Sequence, residues 1–404
     1  MVFQSVNSMR VLMLCSLGAM AVFIALLAWP EGLTGVGRPA ARLVVYCGAG
    51  VRVPVDAAVR QYELEYGVSA RLQYGGSASL LAGIEVSRSG DLYIPGDDYY
   101  IDLARAKGLV RCAVPLAVMR PVAAVRKGNP AGVRVFSDLL RPDVRLSLAS
   151  ADATAVGRLI REHLREGGRW DALQARAAVV KNTVSDVAAD VRTGAADVAI
   201  VWDVTVHQMP ELQAVELPEL APLRARVSAA VLKSAADTAE AVRFARFLAA
   251  SDKGAPLLAA AGFTVERGDP WAYRPEIVLL ADENAARGVE AIVTAFESME
   301  GAKVTRVYQN GALIGYVRRG QIPDVCVLSE PVPAEAAAFF PETERISAGH
   351  AGDSPAATRA TGLFAAVSSH TRYPNMCRRL LAAMQRALTD AHAVPYSGSQ
   401  ESGK

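Results

Sequence analysis

The sequence has no C-x-x-C pair, no H-E-x-x-H, no P-loop and no block of one charge sign. Its five cysteines (Cys15, Cys47, Cys112, Cys326 and Cys377) are scattered, which argues against a disulfide framework and for free, mostly buried thiols. The five histidines (His163, His207, His350, His370 and His392) also stand apart, so zinc-ligand spacing is missing and neither a metal nor another cofactor is expected. A net charge of +2, with Arg and Glu interspersed, gives no surface for tracking nucleic-acid phosphates, and no nucleic-acid partner is expected. Ser77 sits in Gly-Gly-Ser-Ala-Ser, which lacks the second glycine of a nucleophile elbow, and no neighbour offers itself as a base. Asp97-Asp98 falls where a helix begins, so capping explains the pair more simply than acid–base chemistry. The expectation is a protein that is not an enzyme.

What is present is a chain of 404 residues, 51% apolar and 21% charged, enough for two or three folded domains. One uncharged run, Val11 to Trp29, is long enough to cross a bilayer as a helix, and Arg10 precedes it. It reads as an uncleaved anchor at the cytoplasmic membrane with everything after Pro30 outside, in the periplasm. The alternative is a signal peptide, cleaved to release the protein there, but the run is longer than a usual h-region and no small-x-small site follows cleanly.

After a Gly/Pro linker (Pro30 to Pro39) strands and helices alternate. Leu43 to Cys47, Ala70 to Tyr74 and Asp91 to Ile94 read as strands, with helices over Pro54 to Tyr66, from about Ser77, and opening at Asp97-Asp98. This order implies an α/β fold with a parallel sheet. The extended stretches Val114 to Val125 and Arg226 to Leu232 bracket a second alternation: strands at Val144 to Ala149 and Asp197 to Trp202, helices from about Thr154, Trp170 and Val184. The chain thus leaves one lobe, builds another and returns, giving a hinge above a cleft. Ala236 to Ala260 reads as a long helical stretch packed back on the first lobe.

Beyond the break at Gly268 to Pro275, the segments Glu276–Ala281, Ala286–Glu297, Lys303–Tyr308, Gly311–Arg319 and Asp324–Leu328 repeat the order of the first lobe. "FAAVSSHTRYPNMCRRLLAAM" from Phe364 echoes "SAAVLKSAADTAEAVRFARFL" from Ser228. A degenerate extra copy of the first lobe is expected; chance likeness between α/β segments is the alternative. The expected domains are 1–40 (cytoplasmic stub, membrane segment and linker), 41–267 (lobe 1 about 41–115 and 226–267, lobe 2 about 116–225), 276–392 (the extra lobe) and 393–404 (a flexible tail).

Four turns precede helices: Gly48 to Val51, Gly75 to Ser79, Ser150 to Gly157 and Asn182 to Val184. Free N–H groups at such helix starts favour anions, and several converging on a cleft would enclose an oxyanion with neutral dipoles. Small and polar residues also occupy these turns in every α/β protein for steric and capping reasons.

From about Arg42 to Val265 the chain resembles the type II periplasmic solute-binding proteins, and within them the molybdate-binding proteins of ABC transporters. The resemblance is carried by "GGSASLLAGI" followed by "GDLYIPGDD", by "VRKGNPAGVRVFSDLL" with "VRLSLASADATAVGR", and by "TVSDVAADVRTGAADVAIVW". It implies a two-lobed fold in which two hydroxyls and several main-chain amides hold a tetrahedral oxyanion. Ser77 matches the family's second serine, and Val156 and Val184 match positions that contribute backbone amides. The first-loop serine falls on Gly50, and Trp202 stands where the molybdate binders usually place a tyrosine. Arg52 lies one turn into the following helix and could replace the missing donor, although a surface arginine is the simpler expectation. The candidate ligand-binding set is Ala49, Gly50, Val51, Gly76, Ser77, Thr154, Ala155, Val156, Thr183, Val184 and Trp202.

The expected function is therefore a membrane-anchored solute-binding protein that captures an oxyanion of the molybdate, tungstate or sulfate class and presents it to an ABC transporter permease. The alternative is an anchored sensory or interaction module on the same fold, no longer carrying solute.

Overall fold

The computed structural model describes residues 43–346 and 363–391. The apolar run Val11–Trp29, Cys15, the linker Pro30–Pro39, His350, His392 and the tail 393–404 lie outside the described residues. Among the described residues no helix is long and apolar enough to cross a membrane.

The first lobe opens with β1 (Leu43–Gly48), α1 (Arg52–Tyr66), β2 (Ala70–Gly75), α2 (Ser77–Ser87), β3 (Leu92–Ile94), α3 (Tyr99–Ala106) and β4 (Val110–Met119). β1 pairs in parallel with β2 and β3, as strands joined by crossover helices must. At Arg120 the chain crosses into a second sheet. That lobe comprises β5 (Pro121–Arg126), β6 (Leu146–Ala149), α4 (Ala155–Leu164), α5 (Arg169–Arg176), β7 (Ala177–Lys181), α6 (Val184–Thr193), β8 (Val198–Trp202), α7 (Asp203–His207) and β9 (Leu212–Val215), in the order β7-β6-β8-β5-β9. The central strand β8, Val-Ala-Ile-Val-Trp, is buried along its whole length, the pattern of a strand covered on both faces.

The chain returns through β10 (Ala225–Leu232), α8 (Thr238–Ala249), α9 (Gly254–Ala260) and β11 (Thr264–Val265), completing the sheet β11-β4-β10-β3-β1-β2. Ala225 lies opposite Met119, so both crossings sit side by side and form one hinge. The long helix expected over Ala236 to Ala260 is two helices. The chain turns sharply at Ala250–Lys253, and Gly254 comes so close to the Leu248 backbone that a Cβ there would overlap it.

The C-terminal domain comprises β12 (Glu276–Ala281), α10 (Glu283–Glu300), β13 (Lys303–Tyr308), α11 (Ala312–Arg318), β14 (Val325–Leu328), β15 (Thr343–Ile346), β16 (Leu363–Val367) and α12 (Pro374–Ala391). Its sheet order, β13-β12-β14-β16-β15, and its senses of pairing are those of β2-β1-β3-β10-β4 in the first lobe. One detail recurs bond for bond. Asp91 accepts the Val44 N–H on Oδ2 at 2.8 Å, donates its own N–H to the Val44 carbonyl at 2.9 Å, and accepts the Leu232 N–H at 2.9 Å. Asp324 does the same with Val278 (2.7 and 3.0 Å) and Ser368 (2.9 Å). The domain rests on α8 of the first lobe, where Arg246 donates to the carbonyls of Glu300 (2.7 Å) and Ala272 (2.8 Å).

Candidate functional site

The strands of each lobe end in turns that face the other lobe. β1 ends in the turn Ala49–Val51, β2 in Gly75-Gly76, and β3 in Pro95-Gly96. Opposite them stand Thr154 at the start of α4, Val184 at the start of α6 and Trp202 at the end of β8. Together they enclose a cavity of about 20 Å³, lined by Gly48, Ala49, Gly50, Gly75, Gly76, Ser77, Gly96, Thr154, Ala155, Val156, Val184 and Trp202.

The halves touch directly. The Ala78 N–H in the first turn of α2 donates to the Ala153 carbonyl of the second lobe at 3.1 Å. Ser185 Oγ reaches the Ala49 carbonyl at 3.4 Å, and the Tyr100 hydroxyl reaches that of Thr154 at 3.4 Å. Gly76 lies so close to the second lobe that a Cβ there would stand 2.6 Å from the Asn182 carbonyl oxygen and closer still to that of Ala153. Only glycine permits that approach.

Beside the cavity, Arg158 of α4 donates from Nη2 to Asp97 Oδ2 at 2.6 Å, and both side chains are nearly buried. Its guanidinium lies 3.8 Å above the Tyr99 ring and also pairs with Glu162. Asp97 Oδ1 accepts the Tyr99 N–H at 3.0 Å, so one carboxylate serves both the turn into α3 and a link between the lobes, whereas Asp98 at the cap position makes no capping bond and accepts from Ser228 Oγ at 2.8 Å instead. Burial pushes the Asp97 carboxyl above its usual range, against the pull of the Tyr99 N–H and Arg158.

Among the described residues no charged side chain lines the cavity, so the polarity they give it comes from neutral donors. Ser77, 3% exposed, accepts the Gly96 N–H on Oγ at 3.0 Å, which leaves its hydroxyl proton available to the cavity. The hydroxyl of Thr154 is occupied: it donates to the Ser150 carbonyl at 2.8 Å and accepts the Gly157 N–H at 3.0 Å. Ala155, Val156 and Val184 occupy the first turns of two ten-residue helices, whose leading N–H groups have no partner within the helix. The indole N–H of Trp202 has no hydrogen-bond partner among the described residues, although the side chain is only 2% exposed.

Nine of the eleven expected residues line this space: Ala49, Gly50, Gly76, Ser77, Thr154, Ala155, Val156, Val184 and Trp202. Val51 does not; its side chain is packed in the core of the first lobe. Thr183 does not either, because its hydroxyl caps α6 through Asp186. Arg52 is at the surface, paired with Asp56 and stacked on Tyr74, and replaces no donor. Gly48 and Gly75, which also line the cavity, open two of the turns singled out in the sequence, although neither was in the candidate set; sequence reasoning missed Gly96, which follows a strand in the "IPGDD" turn, where the adjacent aspartates drew attention to capping instead. The four described cysteines are free thiols, and burial pushes the Cys47 thiol, which lies behind the first turn, well up.

The fold has known counterparts. The family described as bacterial extracellular solute-binding protein matches residues 43–264. A protein of Haemophilus influenzae described as a binding protein is 30% identical over 169 residues, covering 42% of this chain and 69% of its own length. Among solved structures, the periplasmic binding protein AfuA of Actinobacillus pleuropneumoniae, with fructose-6-phosphate bound, is 18% identical with a TM-score of 0.50, covering 58% of this chain and 88% of that one. The periplasmic molybdate-binding protein of Azotobacter vinelandii is 16% identical with a TM-score of 0.48, covering 55% and 99%. The family match spans more than half of the sequence and ends where the first lobe closes its sheet at β11, and on that basis the chain belongs to the bacterial extracellular solute-binding proteins.

Proposed function

We propose that the interlobe cavity holds a small tetrahedral oxyanion, of the molybdate, tungstate or sulfate class, and that the protein presents it outside the cytoplasm to the permease of an ABC transporter. The observation that carries this reading is the ring of neutral donors from both halves: the Ser77 hydroxyl, the Trp202 indole N–H and the first-turn amides of α4 and α6 around about 20 Å³. Helix N-termini favour negative charge, and neutral donors hold it without a neutralising cation. Size argues in the same direction. Pockets for drug-sized molecules run upward from about 300 Å³, and this space is an order of magnitude smaller, which favours a compact ion over a bulky solute. Closure over the anion supplies the signal, because the ligand contacts both lobes only when they meet. The run Val11–Trp29 would hold the protein at the membrane, and the C-terminal domain reads as a further copy of the first lobe, a reading supported by the paired aspartates Asp91 and Asp324.

A second reading, a sensory or interaction module that no longer carries solute, is favoured by the bulk of Trp202 opposite Gly50. Thermal-shift and calorimetric titration with molybdate, tungstate, sulfate, phosphate and fructose-6-phosphate separates the two. Stabilisation by one of the tetrahedral anions, lost in Ser77→Ala, supports transport. No response to any of them supports the module.

A further inference from the structure

A larger cavity lies elsewhere, where the first lobe meets the C-terminal domain. It has a volume of about 330 Å³, within the range of small-molecule sites, and it sits at a domain interface, where such sites concentrate. Its apolar wall is made by Val114 and Pro115 of β4, Trp271 of the connection, and Tyr373 and Met376 at the start of α12.

The charged groups around it do not balance. Two carboxylates line it, and both are engaged: Glu266 pairs with Arg226 at 3.2 Å, and Asp269 accepts the N–H groups of Asn375 and Met376 at 2.9 Å each. Four arginines line it as well. Arg379 donates from Nε and Nη2 to Glu300 at 2.8 and 2.9 Å, which leaves Nη1 without a partner among the described residues. Arg246 is held by carbonyls of the C-terminal domain and connection, and burial, opposed by Glu300 and reinforced by Arg379, pushes it down to about 10. Arg267 and Arg378, both exposed, have no ion pair among the described residues. The wall is thus apolar and aromatic while the rim carries surplus positive charge.

We propose that this interdomain cavity is a second ligand site, distinct from the cleft, that takes an amphipathic aromatic monoanion: the ring against Trp271, Tyr373 and Met376, the acid group against Arg378 and Arg379. It joins the two domains, so its occupant contacts β4, the strand that runs into the hinge at Arg120, and α12 of the C-terminal domain together.

The test uses the intact protein with anilinonaphthalene sulfonate as the aromatic anion and phenylnaphthylamine as its neutral analogue, followed by fluorescence. One anion per chain is expected to bind, with the neutral analogue much weaker and with saturating molybdate displacing none of it. Ala113→Trp fills the cavity with the chain's own side chain and should abolish binding. Arg378→Glu alters an exposed group whose one hydrogen bond, to Asn375 Oδ1 at 3.3 Å, lies within its own helix turn, and should weaken the anion about fivefold or more, a charge effect of roughly 1 kcal/mol. Circular dichroism establishes that each variant is folded, and Arg378→Glu decides the matter if Ala113→Trp is not. Equal binding by folded Ala113→Trp, no effect of Arg378→Glu, equal binding of the neutral analogue, displacement by molybdate, or no binding at all would each overturn the proposal.

Discussion

The indole of Trp202 occupies the space that a side chain at Gly50 would need. A Cβ on Gly50 would lie 3.0 Å from Trp202 Cδ1 and 3.3 Å from Val184 Cγ1, both tighter than ordinary packing. Glycine at position 50 and the large aromatic at the end of β8 are therefore fitted to each other across the lobes. Gly50→Ser alone should oppose closure and cost about 1–3 kcal/mol of the closed form. Combined with Trp202→Tyr, the serine gains room, and the added hydrogen bond should restore or improve oxyanion affinity by up to about tenfold. Calorimetry of the four members of this cycle reads the coupling. Strictly additive effects would show that the two positions do not share space.

Gly76 sets how closely the lobes approach. Any side chain there meets the carbonyls of Ala153 and Asn182, which belong to the other lobe, so Gly76→Ala should hold the cleft open while leaving each lobe folded. The expected result is loss of oxyanion binding with a melting temperature close to that of the unliganded parent, and a larger radius of gyration by X-ray scattering in the presence of ligand. A variant that still binds and compacts would show that the lobes tolerate a looser seam.

Much of this was legible in the chain because the relevant chemistry is local. Gly76-Ser77 at the mouth of α2, Thr154 before α4 and the strand–helix alternation are all written in a few adjacent residues, and turn and capping rules read them directly. Gly50 and Trp202 were each legible as departures from the resembled pattern, but that they share one space was not, because only the fold brings them together. The break between α8 and α9 was hidden by an alanine-rich sequence with high helix propensity on both sides, and is fixed by the fit of Gly254 against Leu248. The short strands β9 and β15 carry Gln213 and Glu344 at exposed positions, and β7 turns Ala178 and Val180 outward, so none shows an apolar alternation long enough to stand out.

Arg158 and Asp97 link the lobes through a nearly buried ion pair, and removing one partner of such a pair costs far more than the pair itself contributes. Arg158→Met leaves the Asp97 carboxyl buried without its cation, a penalty of about 3–5 kcal/mol that falls on the closed form. Oxyanion affinity should drop by tenfold or more, although neither residue lines the cavity. Adding Asp97→Asn removes the stranded charge and should recover part of the loss. Wild-type affinity in the single variant would mean that closure does not depend on this link.

The Glu300 carboxylate pairs with Arg379 of its own domain and attracts Arg246 across the interface with the first lobe, and that attraction gives the contact a pH dependence. Glu300 is 1% exposed and receives Arg379 at both carboxylate oxygens, while its carbonyl receives Arg246. Burial alone would raise its carboxyl, but the two guanidinium groups outweigh burial and hold it below the usual glutamate range. A carboxylate with a depressed folded value stabilises the structure above its unfolded value and ceases to do so as pH falls through the folded one. The interface should therefore be intact near neutrality and weaken progressively below about pH 4.3, the ordinary glutamate value. Hydrogen exchange across α8, α10 and α12 between pH 6 and pH 3, corrected for intrinsic rates, should show protection lost at this interface before it is lost in β1 or β8. In Glu300→Gln the same protection should already be reduced at pH 6 and change little on acidification. A protection profile in Glu300→Gln that tracks the parent at every pH would place the acid-sensitive contact elsewhere.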